Sequence, residues 1–161
     1  MMAPRVVLDT VVFVQALISN RGPSAACIER AKAGQFALLL SQQLIEEMMD
    51  VPLRPDLTRR YSRLTPPRVQ AFVDEIVRVA LVLPTPPPAF TLPRDPKDEP
   101  LIDVAVAGGA SYLVTWNDRH LTYLMRHDTP EGVDFCQKFP AIRILTPPQF
   151  LRELDALASV P

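Results

Sequence analysis

Asp9, Glu47 and Asp98 are the acids of this chain whose setting in the sequence suggests work rather than solvation. Asp9 follows at once on the apolar run Val6-Val7-Leu8, which puts it at the carboxyl edge of any sheet that run joins. An Asp there also suits the N-cap of the segment behind it, and both roles stay open. The segment opening at Ser41 carries adjacent acids, Glu46 and Glu47. At about 3.6 residues per turn, Leu44, Ile45, Met48 and Val51 form its apolar face. Glu46 then points into solvent, while Glu47 lies on the flank and can look across a sheet edge. In DPKDEPLIDVAVAGG, Pro100 lacks an N–H and belongs to the first helical turn. Leu101, Ile102, Ala105 and Gly108 make the inner face, so Asp98 begins that face and Asp103 points to the opposite side. An acid at Asp98 also favours the helix dipole. Asp95, further out in the loop, is a weaker candidate.

Carboxylates brought to one edge repel one another unless they are protonated or bridged by a cation. Oxygen ligands without Cys or His select a hard ion, Mg2+ or Mn2+, over zinc. Such an ion keeps positions open for water and phosphate, which is the equipment for hydrolysing a phosphodiester.

The stretch SYLVTWNDRHL ends an apolar run in a Trp, an Asn and an Asp. Thr10 and Thr115 flank the expected edge, where their hydroxyls could orient a bound water or phosphate, or simply cap. Asp118 is expected to cap the short helix that follows. Trp116 reads as a packing residue before a stacking one. His120 and His127 lack metal-ligand spacing. Arg54, Arg59, Arg60, Arg63 and Arg68 form a local basic cluster, as consistent with a solvated surface as with phosphate contacts.

Five apolar runs (Val6–Leu8, Phe36–Leu40, Leu81–Leu83, Tyr112–Thr115 and Arg143–Leu145) read as strands. Between them lie helical stretches at about 10–18, 23–34, 42–51, 66–79, 98–108 and 118–126, with a last one after Thr146-Pro147-Pro148. Residues 84–97 are a Pro-rich loop, and 127–141 read as irregular. Strands alternating with helices imply a parallel sheet covered on both faces, with ligands at the carboxyl ends of the strands.

At 161 residues, with 48% hydrophobic and 22% charged, the chain reads as one globular domain spanning 1–161. A net charge of −1 does not announce a nucleic-acid binder, so any such case must be local. No apolar run is long enough to span a membrane, and the N-terminus lacks a signal-peptide pattern. Cys27 and Cys136 stand apart, so structural zinc is not expected and reduced thiols in a cytoplasm are the default.

Four blocks, RVVLDTVVFVQALIS, LLLSQQLIEEMMDVPLRP, RDPKDEPLIDVAVAGGASYLVTWNDRHL and IRILTPPQFLREL, together resemble the PIN-domain family over about residues 5–155. They look most like its VapC-like toxin components of bacterial toxin–antitoxin pairs. The resemblance implies a three-layer α/β/α sandwich with a central parallel sheet. It also implies Mg2+- or Mn2+-dependent endonuclease activity on RNA, an antitoxin partner and pairing as dimers. It places the family's acids on Asp9, Glu47 and Asp98, and its fourth position on Asn117. The chain departs at Val11, where the family commonly has Asn, and at Asn117, where it often has Asp. Both departures leave room for a rival, a non-catalytic RNA-binding module of the same fold. Val11 also argues against an Asp-x-Asp phosphatase built on Asp9, and no Gly-rich turn follows the first strand as a dinucleotide enzyme would need.

Overall fold

The computed structural model describes residues 2–160; residues 1 and 161, the two ends of the expected domain, lie outside the described residues. The five apolar runs pair as β1 (Arg5–Leu8), β2 (Ala37–Ser41), β3 (Leu81–Leu83), β4 (Tyr112–Val114) and β5 (Arg143–Leu145). They form one sheet in the order β3-β2-β1-β4-β5, and every neighbouring pair is parallel. The helices are α1 (Thr10–Ile18), α2 (Pro23–Lys32), α3 (Gln42–Asp50), α4 (Pro55–Thr58), α5 (Pro66–Val79), α6 (Glu99–Ala107), α7 (Pro130–Lys138) and α8 (Pro147–Ala158).

Consecutive residues of the inner strands are buried, among them Val6, Val7 and Leu8, Leu38 to Leu40, and Leu113 and Val114. Successive strand side chains point to opposite faces, so both faces of the sheet are covered. On one face α6 crosses β1, β2 and β4. Elsewhere α2 touches both α5 and α8, with α5 against β2 and α8 against β4. The chain moves one way from β1 to β3 and the other way from β3 to β5, so right-handed crossovers put α6 on the opposite side of the sheet from α2 and α5, with α8 packed beside α2. The expected three-layer α/β/α arrangement is what the chain adopts. Among the described residues no helix is long and apolar enough to cross a membrane.

Local chemistry fixes the helices that matter most below. The Ser41 side chain accepts from the Leu44 N–H at 3.3 Å, starting α3 directly at the end of β2. Pro96–Asp98 form a short 3-10 turn that runs into α6, and Gly109, at φ +65°, supplies the left-handed step that stops it.

Two stretches differ from the sequence reading. Residues 118–126 are a turn followed by a 3-10 segment, Thr122–Met125, rather than an α-helix. Residues 127–141, expected to be irregular, contain α7. Thr129 caps it by accepting from the Gly132 N–H at 3.1 Å, and Pro130 fills its first turn. Gly132 looks like a breaker in the sequence, yet it is required here because a Cβ would stand 2.5 Å from the Arg126 carbonyl oxygen. The helix is selected by packing: Phe135 is fully buried and meets Phe90 of the Pro-rich loop edge-on at 5.3 Å.

The seat of α6 on the sheet depends on Gly108. A Cβ there would lie 2.5 Å from Leu39 Cδ1, 3.0 Å from Leu83 Cδ1 and 3.1 Å from the Val104 carbonyl oxygen. Gly108→Ala is therefore expected to destabilise the fold by about 1–3 kcal/mol, read as a lower urea midpoint with unchanged slope.

Candidate functional site

The chain's direction across the sheet reverses between β1 and β4, the place where parallel sheets open a crevice at their carboxyl ends. Asp9 follows β1, and its N–H donates to the Val114 carbonyl at 2.9 Å. Thr115 follows β4, and its N–H donates to the Leu145 carbonyl at 2.9 Å. Asp9 occupies the N-cap position of α1, but its side chain makes no capping hydrogen bond. Instead Asp9 Oδ2 accepts from the Thr115 hydroxyl at 2.7 Å, with both residues buried. The strongest partner of this carboxylate thus lies across the strand ends rather than on α1.

Glu47 is half-buried on the flank of α3, while Glu46 is exposed. Glu47 Oε2 accepts from the Thr10 hydroxyl at 3.1 Å, so the residue after Asp9 reaches the second acid. Asp98 sits where the 3-10 turn meets α6, and Asp98 Oδ2 accepts from Asn117 Nδ2 at 3.0 Å. The other end of that amide is also engaged: Asn117 Oδ1 accepts from the His120 N–H at 3.1 Å. Asn117 is held from behind and turns its donor end toward an acid.

Two neighbours of this site are residues that the sequence ranks low, Asp95 as a weaker candidate and His120 for want of metal-ligand spacing. Asp95 Oδ1 accepts from the Lys97 N–H at 3.0 Å, and Asp95 Oδ2 lies 3.2 Å from His120 Nδ1. Among the described residues, the group of three His, Cys, Asp or Glu side chains whose donor atoms all approach within 4.8 Å is Asp95, Asp98 and His120. Asp9 and Glu47 are not members of that group, and Asp98 is the acid common to it and to the set expected from the sequence. The spacings Asp95-x-x-Asp98 and Asn117-x-x-His120 were the available signal; each puts its two members on adjacent rungs of one tight turn.

Charge repulsion links the acids. Burial pushes the Asp9 carboxyl above its ordinary range, and the Thr115 hydroxyl and the N–H groups of Thr10 and Val11 only partly offset it. Burial also raises Glu47, opposed by the Thr10 bond and reinforced by the charge of Asp9. Asp98 is raised to about 6, by burial first and then by Asp9 and Asp95, with His120 opposing and Glu47 adding to the rise. Three acids of the site are thus each raised, by burial first and, for Glu47 and Asp98, also by neighbouring carboxylates.

Asp118 stands apart. Its carboxylate is exposed, accepting from the Thr122 hydroxyl at 2.6 Å and from Arg126 at 3.0 Å, which holds it below the usual carboxylate range. It caps no helix, and it does not join the acids. Trp116 is 38% exposed rather than packed away. Leu121 and Leu124 are core residues. Arg54 pairs with Asp50 on the surface, and Arg63 donates to the Ile18 carbonyl at 3.3 Å. Cys27 and Cys136 are free thiols.

The fold is a parallel α/β sheet with one buried acid, Asp9, and two half-buried acids, Glu47 and Asp98, following its strands and connections. The PIN domain family model matches residues 5–119, nearly three-quarters of the chain, and the chain belongs to that family. PIN domains are generally nucleases. The match ends just before His120, so β5, α7 and α8 complete the fold beyond it. No curated protein matches the chain.

The raised carboxyls set the pH response of the metal-free protein. Between the ordinary Asp value of 3.8 and about 6, folded Asp98 keeps a proton that the unfolded chain has released. The unfolded state binds fewer protons there, so stability falls as pH rises through the window. The thermal midpoint in EDTA is expected to drop between about pH 4 and about pH 6.5, and Asp98→Asn to flatten that drop. An unchanged drop in Asp98→Asn would place its origin elsewhere.

Proposed function

We propose that the protein is a metal-dependent endoribonuclease that hydrolyses RNA phosphodiester bonds. What supports this reading is that Asp9, Glu47 and Asp98 are each raised by burial, that Glu47 and Asp98 also feel the charge of Asp9, and that the chain is a PIN domain. The donor set fits a hard divalent ion: carboxylate oxygens dominate, no thiol is near, and uncompensated negative charge is concentrated there. Asp9, Glu47 and Asp98 are the residues that would hold Mg2+ or Mn2+, with Asp95 and His120 flanking Asp98. Such an ion supplies an activated water and neutralises charge at the leaving oxygen.

The chain's own residues then do the positioning. Thr115 orients Asp9, Thr10 orients Glu47, and Asn117 orients Asp98, so each acid presents its remaining oxygen in a fixed direction. Asn117 serves as a support for Asp98 rather than as a fourth anion. Such supports are commonly worth about 10- to 100-fold in metal affinity or activity.

Within the family, the reading extends to a VapC-like toxin working in the cytoplasm as a dimer. Its partner would be a protein antitoxin that blocks the acidic edge with a basic side chain. The four sequence blocks support that extension, and a short neighbouring reading frame encoding such a partner would strengthen it. A second reading, an RNA-binding module with weak catalysis, draws on two observations. Both ends of the Asn117 amide are engaged, and Val11 beside Asp9 is an exposed apolar residue.

Cleavage of a mixed RNA pool separates the readings. The parent protein is expected to cut with Mn2+ or Mg2+ and not with EDTA. Asp9→Asn and Asp98→Asn are expected to abolish cutting, Asn117→Ala to slow it about 10- to 100-fold, and Asp118→Ala to leave it intact. RNA binding that survives EDTA, with no cutting by the parent, would favour the binding module.

A further inference from the structure

Trp116 is the one tryptophan of the chain, and it lies between the two residues that hold the acids. Thr115 on one side binds Asp9, and Asn117 on the other binds Asp98. Position 116 is therefore flanked in the chain by the two residues that hold Asp9 and Asp98. The indole is not free to swing away. Its Nε1–H donates to the Ser24 hydroxyl at 3.1 Å, and that hydroxyl donates to Gln15 Oε1 at 2.6 Å. Ser24 is buried at the start of α2 and Gln15 belongs to α1, so the polar edge of the ring is tied to two helices. The rest of the residue remains 38% exposed. Val11, 45% exposed, follows Asp9 and Thr10 off the neighbouring strand.

We infer that the exposed part of Trp116 stacks on the base of an RNA nucleotide next to the bond being cut, with Ser24 and Gln15 holding the ring in place. The hydrogen-bond chain holds the polar edge of the ring while part of the residue stays open to solvent. Aromatic faces bind unpaired bases without regard to sequence, because every base offers a π-face. In a duplex those faces are already stacked, so the inference specifies unpaired RNA as the substrate at this position. It rests on the RNA-cleaving reading proposed above.

Because the chain has a single tryptophan, its fluorescence reports this contact alone. Single-stranded oligoadenylate and oligouridylate are titrated into the Asp98→Asn protein in EDTA, where the RNA stays uncut, with double-stranded RNA of the same length as comparison. Quenching by the single strands and little by the duplex is expected. In the metal-loaded parent background, Trp116→Ala is expected to raise KM about 5- to 100-fold with a smaller change in kcat. Trp116→Phe, which keeps an aromatic face, is expected to lie much closer to the parent. Ser24→Ala is expected to raise KM by less than Trp116→Ala, because the ring remains but loses its tether. Equal quenching by single and double strands, no quenching at all, or an unchanged KM in Trp116→Ala would overturn the inference. The binding arm needs no catalysis, so quenching without any cutting by the parent would refute the nuclease reading and leave the stacking contact standing.

Discussion

The bond from the Thr115 hydroxyl to the Asp9 carboxylate is the interaction on which the carboxyl edge of the sheet depends. It joins the ends of β1 and β4, the two strands between which the chain changes direction, and both partners are buried. A carboxylate in that position is cut off from bulk water, and one hydroxyl satisfies only part of its capacity to accept. The rest of its charge reaches Glu47 and Asp98, which are themselves held by single neutral donors, Thr10 and Asn117. The fold gives each acid a hydrogen bond and withholds a strong counter-charge. Arg54 and His120 help only from the periphery.

That arrangement gives the neutral residue at 117 a reason. A fourth carboxylate beside Asp98 would add repulsion to a group already pushed up to about 6. The amide does the opposite: it donates to Asp98 while its oxygen is occupied by the His120 N–H. At this position the amide supports Asp98 without adding charge. Asp118, one residue further on, is drawn off to the surface by Thr122 and Arg126. A displaced carboxylate at 118 is therefore not part of this edge.

Much of the fold was legible in the sequence because its signals were local. Continuous apolar runs marked the buried strands, Ser41 and Thr146 announced their helices, and helical phase separated Glu47 from Glu46. The bond between Thr115 and Asp9 spans 106 positions and was visible only as two polar residues ending apolar runs. Residues 127–141 read as irregular in the sequence, yet α7 carries Gly132 in its first turn. The reason for that glycine, the closeness of the Arg126 carbonyl, exists only in the folded chain. Asp95 and His120 were passed over for a similar reason. The turn that opens at Asp95 and the turn between Asn117 and His120 belong to different connections, and only the folded sheet edge brings them together.

The central claim is that this edge is built to receive a divalent cation touching Asp98. A crystal of the parent protein soaked in Mn2+ and measured for anomalous scattering tests it directly. The account predicts a manganese peak in contact with Asp98 and Asp9, with Glu47 close enough to bind directly or through water. A peak held by Asp95 and His120 with Asp9 left bare would move the centre to the other side of Asp98. No peak at this edge at saturating Mn2+, with cations bound only elsewhere on the surface, would contradict the account.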